Sequence, residues 1–152
     1  MYKVAIMMGS ESDREVMSAA HAYLDYFGIG YEVKILSAHR MPDATAEFAK
    51  SAEENGFSAV IAGAGMAAHL AGVVASHTLL PVIGVPLSGS ALTGVDALYS
   101  MVQMPRGVPV ATMAIGRAGA ANAALFVAEM LAGRDAGIRA KLVEFRKKGC
   151  VL

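Results

Sequence analysis

Short apolar runs alternate with amphipathic stretches of helical period along the whole chain, and this constrains the fold more than any other feature. Residues 3–8, 31–36, 59–62, 81–85 and 110–115 read as five strands. Each is a nearly continuous apolar run, as a strand buried on both faces must be. Helices are predicted over about 13–27, from Pro42 to near Gly56, over about 67–77, and at 118–131 and 135–148, with residues 87–109 part helix and part loop. Gly28 stops the first helix and Pro42 stands near the first position of the second. Strands alternating with helices imply a parallel sheet covered on both faces. Right-handed crossovers then give a three-layer, doubly wound α/β fold. No repeat, linker or low-complexity tract interrupts the pattern, so residues 1–152 are expected to form a single domain.

Apolar residues make up 55% of the chain and charged residues 17%. That excess fits a membrane protein, or a subunit that buries surface against copies of itself. The longest greasy stretch, 118–132, contains Asn122 and Glu129, too short and too polar for a spanning helix of about 18 apolar residues. Self-association is therefore expected, and membrane insertion is not. Thirteen basic residues balance thirteen acidic ones. A nucleic-acid binder would carry a basic excess, so no nucleic-acid partner is expected. The cluster Arg146-Lys147-Lys148 reads as cations at a helix C-terminus. Cys150 has no partner for a disulfide and reads as incidental. The strand-like start shows no signal-peptide pattern, which predicts cytoplasmic residence.

In a doubly wound sheet, ligands bind outside the carboxyl ends of the strands, where the strand order reverses. Three loops qualify. In Gly9-Ser10-Glu11-Ser12-Asp13, two hydroxyls and free helix N–H groups could hold a phosphate, and Asp13 suits ribose hydroxyls better. Plain helix capping by Ser12 or Asp13 explains the same residues equally well. In Ser37-Ala38-His39-Arg40-Met41-Pro42, a histidine able to move protons stands beside an arginine able to grip a phosphate, at a stiffened strand exit. In Gly63-Ala64-Gly65-Met66-Ala67-Ala68-His69, the glycines suit either a flat ligand or tight helix–sheet packing, and His69 is expected in the first turn of the next helix. Residues 103–109 (QMPRGVP) read either as a mobile lid or as an ordinary connection. His21 and His77 read as structural, and no metal-ligand spacing is present.

Residues 8–13 (MGSESD), 37–43 (SAHRMPD), 62–70 (AGAGMAAHL), 81–86 (PVIGVP), 102–109 (VQMPRGVP) and 118–125 (AGAANAAL) together resemble the N5-carboxyaminoimidazole ribonucleotide mutase family of purine biosynthesis. They occur in the family's order and span essentially the whole chain. The resemblance implies a flavodoxin-like fold, a homo-octamer, and no metal or organic cofactor. It implies that His39 is the general acid/base. It implies that Ser10, Ser12, Asp13 and Arg40 bind the ribose phosphate, with Ala38, Gly65, Ala68 and His69 lining the base and carboxylate site. Residues 103–109 match the family's mobile loop. Met66 stands where the family commonly has glycine, Ala71 where it commonly has proline, and Met41 where threonine is usual.

The implied reaction moves a carboxyl group from N5 to C4 of an aminoimidazole ribonucleotide. The nearest rival is the sister carboxylase, which takes CO2 from solution. Its loops resemble Ser-Ala-His-Lys, whereas this chain has Arg40 after His39 and the run Ala67-Ala68-His69-Leu70. A flavin-binding module is a rival of another class, and the first loop lacks the threonine-rich cradle it would need.

Overall fold

The computed structural model describes residues 1–152 and contains one five-stranded, all-parallel sheet in the order β2-β1-β3-β4-β5. The strands are β1 (Lys3–Met8), β2 (Gly30–Ile35), β3 (Ala59–Gly65), β4 (Val82–Leu87) and β5 (Ala111–Thr112). This is the flavodoxin-like order, and the direction of winding reverses between β1 and β3. The helices are α1 (Arg14–Met17), α2 (His21–Phe27), α3 (Pro42–Ser51), α4 (Leu70–His77), α5 (Val95–Val102), α6 (Arg117–Leu131) and α7 (Ala136–Lys147). Single 3-10 turns at Glu11–Asp13 and Ser18–Ala20 join on to α1 and α2.

Side-chain alternation along the strands explains the three layers. In β1, Val4, Ile6 and Met8 face one layer with Leu24, Phe27, Val127 and Phe145. Ala5 and Met7 face the other, with Ala49, Phe57, Leu70 and Val74. Every strand residue from Val4 to Met8 is buried. Each large apolar side chain so placed contributes about 1.5–3 kcal/mol relative to an exposed one. Helix α6 approaches closely because its inner face is small: Gly119, Ala120, Ala123, Ala124 and Ala128 are all buried. No helix is long and apolar enough to cross a membrane.

The structure departs from the sequence expectation at element ends. The region expected as one helix over 13–27 is helical throughout but switches between 3-10 and α geometry. It ends at Gly28, in the left-handed region at φ 73°, as expected. Strand β5, expected over six residues, has two. The next β4 residue that faces β5 after Gly84 is Pro86, which has no N–H to give the ladder. Its carbonyl still accepts from the Gly116 N–H at 2.8 Å, and the Gly84 carbonyl accepts from the Met113 N–H at 2.8 Å. The chain therefore stays beside β4 without regular pairing. Arg146 and Lys147 occupy the last turn of α7, as expected of cations at a helix C-terminus.

Candidate active site

The exit of β1 is built on Ser10. Its backbone is extended (φ −148°, ψ 149°), and its Oγ accepts from the Ser12 N–H at 3.3 Å. The Ser12 hydroxyl donates to the same oxygen at 2.9 Å. The cap is therefore Ser10, and neither Ser12 nor Asp13 as expected. Asp13 makes no side-chain cap bond. Its partial burial pushes the carboxyl above the ordinary range. Glu11 pairs with Arg14 in an exposed ion pair.

The exit of β2 is a closed turn. The Met41 N–H donates to the Ser37 carbonyl at 2.7 Å, and the Arg40 N–H to Ser37 Oγ at 3.3 Å. The Met41 carbonyl is held in turn by the N–H and the buried hydroxyl of Thr45, at 3.0 and 2.8 Å. Pro42 begins α3. Ala38 packs against the core, while His39 and Arg40 are exposed on the crest of the turn. This loop lies against the first one. The Leu36 N–H donates to the Met8 carbonyl at 2.9 Å, and a β-carbon at Gly9 would sit 3.9 Å from Ser37 Cα.

The third loop differs from expectation. Gly63, Ala64 and Gly65 are strand residues of β3. Gly63 is filled by the thioether of Met17, and Gly65 lies against the Leu87 carbonyl, 3.3 Å from where its β-carbon would be. Close packing therefore accounts for both glycines. After Gly65 the chain reverses at Met66, a non-glycine residue at φ 56° whose side chain is 61% exposed. Helix α4 starts at Leu70 and not at 67, because Ala68 and His69 close short turns onto the carbonyls of Met66 and Ala67 (2.9 and 2.8 Å). Ala68 is buried with Ala97 and Met101. His69 takes the N-cap position without a side-chain cap bond, and it is exposed. Its imidazole lies over Gly72 of α4, and the sulfur of Met104 reaches the same space above that glycine.

Met104 brings the 103–109 segment to the same place. That segment leaves α5 through a Gln103 N–H bond to the Tyr99 carbonyl (3.2 Å). It then turns at Pro105–Val108, with Gly107 at φ 98°. Gly72 does not stand out from the sequence, and Met104 does so only as part of the 103–109 segment. The available signal was a glycine three residues after His69, in a helix that does not need one. Of the two histidines read as structural, His21 stacks on Tyr31 at 4.5 Å with its Nε2 buried and unpartnered, and His77 is exposed. No cluster of three or more His, Cys, Asp or Glu is positioned to hold a metal. A surface depression on the outer face of α3 is lined by Asp43, Glu47, Lys50 and Glu54. Three carboxylates against one lysine would repel a phosphate there.

The family described as AIR carboxylase matches residues 3–150. The chain belongs to the AIR carboxylase family. Among its curated relatives is the N5-carboxyaminoimidazole ribonucleotide mutase of Escherichia coli (strain K12). It is 54% identical over 145 residues, which are 95% of this chain and 86% of the relative. The protein of the same name from Brucella melitensis biotype 1 is 55% identical over 144 residues, 95% of this chain and 89% of that one. Among solved structures, Treponema denticola PurE aligns with a TM-score of 0.88 at 27% identity, covering 99% of this chain and 92% of its own. As a family member, the chain is an enzyme related to mutases over nearly its full length. In this chain's all-parallel sheet the loops holding Ser10–Asp13, His39 and His69 follow β1, β2 and β3, and so leave the sheet at the same, carboxyl-terminal end.

Proposed function

We propose that this chain is an isomerase that converts N5-carboxyaminoimidazole ribonucleotide to 4-carboxy-5-aminoimidazole ribonucleotide in purine biosynthesis. The observation that carries the proposal is near-full-length identity above 50% to proteins named as that mutase. The close approach of Gly9 at the β1 exit to Ser37 at the β2 exit, which brings the two loops side by side, supports it.

The chemistry assigns roles. The N5–carboxyl bond breaks, CO2 leaves, and the nitrogen takes a proton. C4 of the electron-rich ring then attacks CO2, and the proton on C4 departs. One proton is taken and one is returned, so a single group can do both. His39 is that group, exposed on a crest held by Ser37 and Thr45. Arg40, Ser10 and Ser12 take the phosphate, and Asp13 accepts from ribose hydroxyls. Ala38, Gly65, Ala68 and His69 line the base and carboxylate. Residues 103–109 close over the site and keep CO2 from escaping, because proximity replaces a dilute second-order encounter. No step calls for a metal or organic cofactor.

The working form is a cytoplasmic homo-octamer. Leu92, Val95, Tyr99 and Val102 are exposed along α5 and its entry, an apolar stripe that supports burial against another copy. Light scattering at micromolar concentration is expected to give the octamer, and a monomer would defeat the proposal.

The assignment is tested by product formation from the carbamate substrate and, separately, from the uncarboxylated nucleotide with bicarbonate. Turnover of the first and not the second is expected. The reverse preference would make the protein a carboxylase. His39→Asn should nearly abolish turnover while nucleotide binding stays largely intact, and near-normal turnover would remove His39 from the role.

A further inference from the structure

We propose that Gly72 is a positioning residue for His69, a role that rests on the reading of His69 as part of the substrate site. Gly72 is the third residue of α4 and is buried. Glycine is a poor helix former. Its backbone gives no reason for its presence, since Gly72 is not among the residues at positive φ. The reason lies in the space above it. A β-carbon at Gly72 would lie 2.7 Å from His69 Cε1 and 2.9 Å from Nδ1, with Met104 Sδ at 3.2 Å. The first two distances are shorter than non-bonded carbon and nitrogen atoms tolerate. Any side chain at position 72 therefore moves the imidazole.

The histidine has no other anchor of the usual kind. An N-cap side chain ordinarily hydrogen-bonds the backbone N–H two or three residues on. His69 makes no such bond. The ring occupies the space that the bare backbone of Gly72 leaves open, a space it shares with the thioether of Met104. This leaves both ring nitrogens free of the cap and ties the ring's place to the segment that begins at Gln103.

The test is a double-mutant cycle on the intact protein with Gly72→Ala, His69→Asn and the combination. Gly72→Ala is expected to keep the far-ultraviolet spectrum and melting temperature and to raise KM about tenfold or more. The His69 ring resonances should shift in a nitrogen-detected histidine spectrum. The double variant should be no worse than His69→Asn alone, because both remove the same ring from the same place. Normal KM and unshifted ring resonances in a folded Gly72→Ala protein would overturn the proposal, as would fully additive losses. If Gly72→Ala does not fold, Met104→Ala, which empties part of the same space over Gly72 without adding an atom to α4, must raise KM and shift the same resonances, and unchanged values overturn the proposal. A wild-type KM in His69→Asn would instead remove His69 from the substrate site, an outcome distinct from failure of the Gly72 variant alone.

Discussion

The sulfur of Met17 packs so closely on Gly63 that a β-carbon there would collide with it. Met17 is fully buried, so the thioether cannot swing into solvent, and Gly63 pairs with both Met8 and Val85 in the middle of the sheet. Gly63→Ala should therefore destabilise the fold by about 1–3 kcal/mol, the usual cost of overpacking a core. Urea denaturation measures it. Turnover per folded molecule should be unchanged, which separates this packing glycine from a ligand-binding one.

Arg40 is exposed at the β2 exit and has no acidic partner among the chain's ion pairs. Arg40→Ala should weaken binding of the nucleotide product by about 1.5–3 kcal/mol, the range for a hydrogen bond to a charged group. Calorimetric titration checks this, and the melting temperature should hardly move. Unchanged affinity would take Arg40 out of the phosphate site.

The surroundings of His21 disfavour its charged form. Burial lowers its pKa, opposed in part by Asp25 and reinforced by Arg14. A base whose folded pKa lies below its unfolded value binds protons more tightly when unfolded, so stability falls as pH drops below about 6.5. His21→Phe keeps the stack on Tyr31 and removes the unpartnered Nε2. The variant should gain stability over the parent at pH 5 by more than it does at pH 8. Equal differences at the two pH values would contradict the assignment.

Glu32 sits between Lys3 and Lys34 on the edge strand, at 2.9 and 2.8 Å. Hydrogen bonds from Lys3 and then Lys34 bring its carboxyl down to about 2. A lowered carboxylate stabilises the fold above its unfolded pKa and loses that contribution as pH falls from about 4.5 towards 2. Carboxyl-carbon titration should find Glu32 the last of the glutamates here to protonate, and Lys3→Gln should move it up.

Met66 pays for its left-handed backbone, a conformation that costs a non-glycine residue about 1–2 kcal/mol. Met66→Gly relieves that and loosens the unfolded chain, a smaller and opposite effect. A net gain of about 0.5–1 kcal/mol is expected in urea denaturation.

The alternation of apolar strands with helices was enough to place five strands, the layers and the three strand-end loops. What it could not place depends on atoms far apart in sequence. Pro86 shortens β5 by withholding an N–H from a neighbouring strand. The two glycines of β3 are explained by Met17 and Leu87, which sit 46 and 22 residues away. Periodicity also ran the fourth helix three residues too early, because alanines 67 and 68 suit a helix while the turns at Met66–His69 exclude it. The His39–Arg40 pair was legible because a strand exit concentrates chemistry in few residues. Gly72 was not, since a lone glycine in a helix becomes informative only when the ring above it is seen.

The most direct test of the account follows the carbon itself. Substrate labelled with carbon-13 in the carbamate is turned over in buffer holding unlabelled bicarbonate, under conditions where free exchange is slow. A site that traps CO2 between the His39 turn and the 103–109 segment should deliver most of the label to the C4 carboxylate of the product, read by carbon-13 NMR. Product carrying mainly unlabelled carboxylate would show that CO2 is drawn from solution, and would contradict the mutase assignment.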